Sequence, residues 1–348
     1  MAASAKTIRF VVSDPSALAT ACAALASGAN AAFASGQQSS FTENDLSWQT
    51  AFYHDDGHGL IHLMGKPANS DTQWKHQYYT VATNTWTVVL TGAWNNPGHI
   101  YGNFTMDFVT GDVFQQRGFN GVDNVRRLRR WDYTQRASGA AAWGLAPINQ
   151  DMFTGNEDNH GNGVCYHPNL YGTNDGGAIW STQSQIHFWR RNTDGRQTIG
   201  YTYGAYGEKE GANCYWPAQN SCFVGGSAGP DGNNLLRVTP NVSAGGTPVL
   251  ANMGTPPIRC QGASHLGGSG FGSLHVHPGN PNKMLLIETA GSRVYETSNG
   301  STWTQISNHP FTMVPRVLCS LRGGLGCVWA IGRNSGGTHY SQLWKPAP

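Results

Sequence analysis

Apolar and polar positions between Gly270 and Ile306 sort into four short strands. Ser273–His277 alternates with period two, and Pro278-Gly279-Asn280-Pro281-Asn282 follows it. Proline fixes φ there while Gly and Asn tolerate φ > 0, so the segment predicts a turn. Lys283–Thr289 holds an apolar run long enough for a buried strand, Ala290-Gly291-Ser292 turns again, and Arg293–Thr297 returns. Asn299-Gly300 is a tight-turn pair, and Thr302–Ile306 is a last strand carrying Trp303. Four antiparallel strands of this kind cannot bury both faces of their sheet alone, so they predict copies of themselves elsewhere in the chain.

The copies are present in worn form. Taking the second strand as marker, they fall at Leu60–Met64, Phe104–Phe108, Val164–His167, Cys222–Gly225, Leu274–His277 and Cys327–Ile331. Five steps from Leu60 to Cys327 average about 53 residues, close to the period of propeller blades. The expectation is an all-β chain: a single β-propeller of about six four-stranded blades over residues 37–348, with seven blades as the alternative count. Residues 1–36 add a strand, Thr7–Val12, and a helix. Ser13 or Asp14 caps that helix, Pro15 suits its first turn, and Ala17–Phe33 is Ala-rich with Gly28 interrupting. The last blade, from about Met313 to Lys345, supplies three strands. Thr7–Val12 is therefore expected to fill the fourth place and close the ring; otherwise residues 1–36 are an arm that docks on a partner.

Two segments resemble known repeats. Tyr78–Trp86, with its Tyr strand, Thr-Asn turn and Trp, resembles the end of a kelch repeat, although Met64-Gly65 stands where kelch has a double Gly. Ser298–Trp303 resembles a degenerate Asp-box of sialidase-like propellers, without the Asp. Gly-His ahead of a strand and the Trp-ended strand also resemble propellers of tailed-bacteriophage virions. That last resemblance implies a tail-fibre, collar or capsid-decorating module.

Composition points the same way. Gly supplies 45 of 348 residues, as a turn-dense β-fold needs, and charged residues are only 12%. Solubility then rests on Asn, Gln, Ser, Thr and Gly, a balance shared by carbohydrate-handling proteins and virion shells. A net charge of +2 gives no argument for nucleic acid or an acidic membrane as partner. Arg126-Arg127-Leu128-Arg129-Arg130 reads either as a phosphate or acidic-glycan patch or as a solvated strand pairing with its neighbours. Met1–Lys6 shows no secretory signal and nothing reaches membrane-spanning length, so the expected setting is a virion assembled in a host cytoplasm without membrane insertion. Expected partners are other virion proteins and cell-surface polysaccharide, with Trp94, Trp180, Trp189 and Trp216 as candidate contacts in or beside loops.

Histidine is the main chemical signal. Four sit just ahead of a marker strand: Asp56-Gly57-His58-Gly59, Pro97-Gly98-His99-Ile100, Asn159-His160-Gly161-Asn162 and Ser264-His265-Leu266-Gly267. Their steps average about 52 residues, so they are read as equivalent positions ringing the axial mouth. Such imidazoles bind a metal, hold an anion or act in acid–base catalysis. The plainer reading is a staple, each His bonding a neighbouring blade's backbone because the fold repeats.

The enzymatic alternative is a polysaccharide lyase or a glycoside hydrolase. A lyase uses Arg or a metal to neutralise a uronate carboxylate and His or Tyr to remove the α-proton. His58, His160, Tyr166 and Arg190 are the catalytic candidates. Asp55, Asp56, Glu157 and Asp158 are the carboxylates from which a hydrolytic pair would come. No cofactor is expected; Asp158 and His160, within Asn156–His160, are the candidates for a structural cation, and a polar turn explains them equally. Seven cysteines without a signal peptide argue against a disulfide scaffold. Cys214/Cys222 and Cys319/Cys327, each eight apart across a turn, are the pairs that could oxidise; buried free thiols are the alternative.

Overall fold

Successive residues of a strand point to opposite faces, and in this chain both faces carry apolar side chains. In β20 (below), Met284 and Leu286 pack one way while Leu285 and Ile287 pack the other. Such a sheet needs a neighbour on each side, and a closed ring supplies it. The computed structural model describes residues 17–32, 48–54, 59–66, 73–93, 104–116, 128–145, 164–172, 174–181, 185–193, 195–200, 212–225, 234–241, 246–260, 271–289, 291–333 and 339–348.

Helix α1 (Ala17–Ala24) and β1 (Asn30–Ala32) precede the first complete sheet. Blade one is β2 (Trp48–His54), β3 (Leu60–Lys66), β4 (Gln73–Thr80) and β5 (Thr85–Ala93). Blade two is β6 (Phe104–Met106), β7 (Val113–Gln116), β8 (Leu128–Trp131) and β9 (Trp143–Leu145). Blade three is β10 (Val164–His167), β11 (Gly177–Ser181), β12 (Gln185–Arg190) and β13 (Gly195–Gly200). Blade four is β14 (Asn213–Trp216), β15 (Ser221–Gly225), β16 (Leu235–Thr239) and β17 (Val249–Asn252). Blade five has a two-residue strand, β18 (Arg259–Cys260), parallel to β19 (Phe271–Val276), then β20 (Met284–Glu288), β21 (Arg293–Thr297) and β22 (Thr304–Asn308). Blade six is β23 (Val314–Leu321), β24 (Cys327–Arg333) and β25 (His339–Trp344), completed by β1. The first strands touch in turn, β2 to β6, β10, β14, β19 and β23, and β23 returns to β2. The fold is a six-bladed β-propeller.

Six apolar clusters hold it, one at each blade boundary. Blade three shows the division: Ala178 and Trp180 face Phe114 and Leu128 of blade two, whereas Ile179 and Phe188 face Cys222 and Val224 of blade four. Trp180, Trp189 and Trp216, expected beside loops as surface contacts, lie in strands and are 0%, 2% and 0% exposed. Their rings fill boundaries between blades, because a wide gap between two twisted sheets takes the largest side chains. Trp94 lies outside the described residues.

The marker strand of the sequence reading is not one structural position. Leu60, Cys222 and Cys327 lie in second strands of their blades, whereas Phe104, Val164 and Leu274 lie in the strands that begin the antiparallel meander. Both strand types are short and apolar, and the blade period of about 50 residues tolerates a slip of one strand.

Thr7–Val12, the expected closing strand, lies outside the described residues. The strand that completes blade six is Asn30–Ala32, pairing antiparallel with Trp344, Leu343 and Gln342. Gly28 N–H donates to Lys345 O (2.7 Å) and Lys345 N–H to Ala29 O (3.0 Å), which lengthens the ladder. The Ala-rich stretch therefore stops being helical at Ala24. Backbone groups after Gly28 (φ +80°) find partners in β25, and that ladder outweighs the modest helix preference of Ala. Helix α1 has only eight residues, too few to stand alone in water. It is held by Leu18 and Cys22, four apart on one face and both fully buried against blades six and one.

Removing residues 1–32 takes away β1 and the Leu18 and Cys22 anchors together. We expect a loss of about 4 kcal/mol of stability, from burial of those two side chains and the ladder they hold. Denaturant unfolding of the full and shortened chains checks this; equal midpoints would show that the ring closes without the segment.

Candidate functional site at the axial mouth

Because each blade is entered through its first strand, the turns after those strands gather at one end of the axis. The residue ending a first strand reaches the following blade. His54 packs edge-on to Tyr133 at 5.1 Å, and Gly111, at φ +80°, leaves it room: a Cβ there would lie 2.7 Å from the imidazole. Asp107 meets Arg191 of blade three (3.0 Å). His167 accepts from Asn169 N–H at Nδ1 (3.0 Å) and donates from Nε2 to Asn220 O of blade four (3.1 Å). Trp216 donates from Nε1 to Pro281 O of blade five (2.7 Å). His277 repeats the His167 arrangement, accepting from Gly279 N–H (3.1 Å) and donating to Ala347 O past β25 (2.9 Å).

These are the staples that sequence reading assigned to other histidines. His58, His99, His160 and His265 lie outside the described residues, as do Asp56, Glu157 and Asp158. Their even spacing is not equivalence, since His58 precedes a second strand while His99, His160 and His265 precede β6, β10 and β19 in sequence. The signal that was missed is His-Pro at the end of a first strand, His167-Pro168 and His277-Pro278.

Polar ties also repeat within blades. Arg130 binds Asp112 (2.8 Å), Arg190 binds Asp175 (2.5 Å) and Arg237 binds Ser221 (2.9 Å), each linking the third strand to the start of the second. Blade five reverses the charges, with Lys283 on Glu296 (3.0 Å). Arg190, a catalytic candidate, is thus occupied structurally, and its guanidinium also lies over the Tyr171 ring. Tyr166 is 1% exposed, its phenol bound by Arg191 (3.3 Å) and its pKa raised chiefly by burial. Arg191 spans two blades, reaching Asp107 and Asp112, which are 2% and 1% exposed. Of the basic run, Arg130 is therefore a structural strand residue.

Arg322 differs. It follows β23 in blade six, yet its guanidinium lies 4.2 Å from the centroid of Phe108 in blade two. Tyr215 of blade four stacks on the same Phe108 ring (6.3 Å, 20°) and meets His167 edge-on (4.9 Å). Arg322 also interacts electrostatically with Cys214, Cys319, Tyr215 and Tyr53, and burial holds the pKa values of Cys214, Cys319 and Tyr215 above their ordinary ones. A ring contact with blade two and electrostatic interactions with groups of blades one, four and six put this cation where the blades converge. Burial lowers its pKa, and no carboxylate lies within ion-pair distance of it among the described residues. A guanidinium partly withdrawn from water without a counter-charge is a standing attraction for an anion.

Of the two readings of the cysteines, the structure holds buried thiols and not the Cys214–Cys222 and Cys319–Cys327 bridges. Cys214 stands opposite Phe223 and Cys222 opposite Tyr215, so the two thiols point to opposite faces of blade four. Cys319 stands opposite Trp329 and Cys327 opposite Leu321, two positions apart. All seven cysteines are buried and none is in a disulfide. Thiol contacts are instead Cys222 with Cys165 and Cys327 with Cys22. Among the described residues no group of three or more His, Cys, Asp or Glu is arranged for a metal.

No family model matches the chain, and no curated protein does. Solved structures do. An auxiliary nutrient binding protein from Bacteroides thetaiotaomicron superposes with a TM-score of 0.51 at 10% identity, covering 81% of this chain and 65% of that one. This chain thus spans just under two thirds of that protein's length. A streptogramin B lyase gives 0.44 at 12% identity, over 86% of this chain and 94% of its own. At such identities the likeness extends to the propeller fold alone.

Two outcomes test the site's framework. Burial pushes the His167 pKa down to about 4 and lowers those of His76, His277 and His309. Unfolded histidine titrates near 6.5, so below that value the unfolded chain takes up protons that the folded chain refuses. Stability from these groups is complete above about pH 6.5 and falls as pH drops toward 4, with His167 alone withdrawing about 3 kcal/mol. Urea unfolding across that range checks the slope; a flat profile would contradict neutral, buried imidazoles. Arg191→Ala leaves Asp107 without its cation at the boundary of blades two and three and should cost about 3 kcal/mol, read as a lower thermal midpoint.

Proposed function

We propose that this propeller is a non-covalent binding module whose axial mouth receives the anionic group of its ligand on Arg322. The axial guanidinium, without a carboxylate partner among the described residues, carries this reading. A carboxylate placed there gains a bidentate, charge-assisted contact and relieves the isolated charge. Phe108 and Tyr215 beside it offer apolar ring faces of the kind that pack on sugars, so an acidic cell-surface polysaccharide is the ligand class that fits both features. We place the module in a tailed-phage virion, as a receptor-contacting or structural part. Low charge and richness in Gly and uncharged polar residues support that setting, and other virion proteins are its partners there.

Kinship with Asp-box propellers is part of the same proposal, supported by the turn after β21. Asn299 Oδ1 accepts from the N–H groups of Ser301 and Thr302 (both 2.9 Å), and Thr297 Oγ1 accepts from Gly300 N–H (2.8 Å). Gly300 has φ +83° and sits so close to Phe223 that a Cβ would meet its ring at 2.3 Å.

Titration of the full chain with acidic and neutral polysaccharides of matched length tests the proposal. We expect binding confined to the acidic polymers, and weakening of at least about tenfold with Arg322→Gln, the loss of one charge-assisted contact. Binding that ignores ligand charge, binding unaffected by the substitution, or none to any acidic polymer would refute it. Shortening of the polymer chains would transfer Arg322 to the lyase or hydrolase reading, as neutraliser of a uronate carboxylate.

A further inference from the structure

Cys22 and Cys327 are separated by nearly the whole chain yet meet where the ring closes. Cys22 lies on the buried face of α1, and Cys327 opens β24 in the blade that β1 completes. Both thiols are fully buried in one apolar cluster with Leu18, Trp329 and Leu343. They are within hydrogen-bonding reach of each other, and Cys327 Sγ also lies 3.9 Å from the Cys22 carbonyl oxygen. Lys345 completes the group, its Nζ donating to Cys22 O (3.2 Å) while its backbone pairs with Gly28 and Ala29. Among the described residues, the buried anchors of α1 and the Lys345 contacts to the N-terminal segment thus gather around this thiol pair.

We propose that Cys22 and Cys327 are a disulfide cross-linking site that fastens the N-terminal segment to the ring-closing blade when the protein meets a small-molecule disulfide. The inference is independent of the anion site. Cys327 is the attacking sulfur: with α1 docked, the Cys22 S–H and the Lys345 ammonium lower its pKa, and Lys345, which follows β25 in the same blade, is not carried away when the helix lifts. Its Sγ attacks one sulfur of oxidised glutathione, forming a mixed disulfide and releasing one glutathione thiolate. Cys22 Sγ then attacks the Cys327 sulfur and expels the second glutathione. Two protons leave the cysteines, and the two electrons they surrender reduce glutathione disulfide to two thiols. Access comes by lifting α1, a short helix held by two anchored side chains and so among the least costly segments to open. The gain is large in principle, since the bond closes a loop of almost the full chain length.

The test uses the full chain. After incubation with oxidised glutathione, free thiols are blocked, and the protein is digested without reduction and mapped by mass spectrometry. The expected result is a Cys22–Cys327 peptide pair, lost on reduction, and an unfolding midpoint higher by roughly 5 °C in the oxidised form. Cys22 and Cys327 both recovered as blocked free thiols would overturn the proposal. So would a stable glutathione adduct on Cys327, bonding to other partners such as Cys165 or Cys222 in place of this pair, or a cross-linked form with an unchanged midpoint.

Discussion

No blade of this protein can bury its own apolar surface. Each sheet carries large side chains on both faces, so each depends on the blades before and after it, and the dependence ends only when the sixth meets the first. The six clusters at the blade boundaries are the physical expression of that constraint. It explains why the tryptophans are interior: Trp131, Trp180, Trp189, Trp216 and Trp329 are among the largest fully buried side chains. It also explains why ring closure uses so little chain. Three residues of β1 complete blade six, and the apolar boundary between blades six and one, with α1 packed into it, helps to hold them there.

Closure has a consequence at the axis. Six first strands brought side by side end in a crowded place where backbone and side-chain polar groups lose water. Most are satisfied by reaching into the following blade, as His167 and His277 do through backbone carbonyls and Asp107 does through Arg191. Repetition of the fold thus repeats a bonding problem, and different residues solve it in different blades. Arg322 stands apart because it reaches from blade six to an aromatic ring of blade two instead of to a carboxylate. Among the described residues, Asp107, Asp112 and Asp175 have their guanidinium partners, whereas Arg322 has no carboxylate at ion-pair distance.

Much of the architecture was legible from residues alone. The four strands read between Gly270 and Ile306 match β19 to β22 closely, because Pro-Gly-Asn, Gly-Ser and Asn-Gly turns punctuate unambiguous apolar runs. Blade number followed from their spacing. The site was hardly legible. Spacing singled out histidines ahead of strands, whereas the imidazoles that tie blades together come at strand ends before a proline. Arg190 and Tyr166 were picked for chemistry, yet both are tied up in ion pairs or burial. Cysteines eight apart across a hairpin looked matched, but one residue of register turns Cys214 and Cys222 to opposite faces.

Turn chemistry and strand periodicity act over a few residues, so the sequence by itself determined the strands, the meander and the need for a ring of about six blades. Contacts between residues hundreds of positions apart carry no local signature. Only the tertiary structure decided that Asn30–Ala32 closes the ring instead of extending an alanine-rich helix, since the deciding hydrogen bonds belong to β25. The same holds for Arg322 on Phe108 and for Cys22 beside Cys327, pairs formed by closing a circle that neither neighbourhood encodes alone.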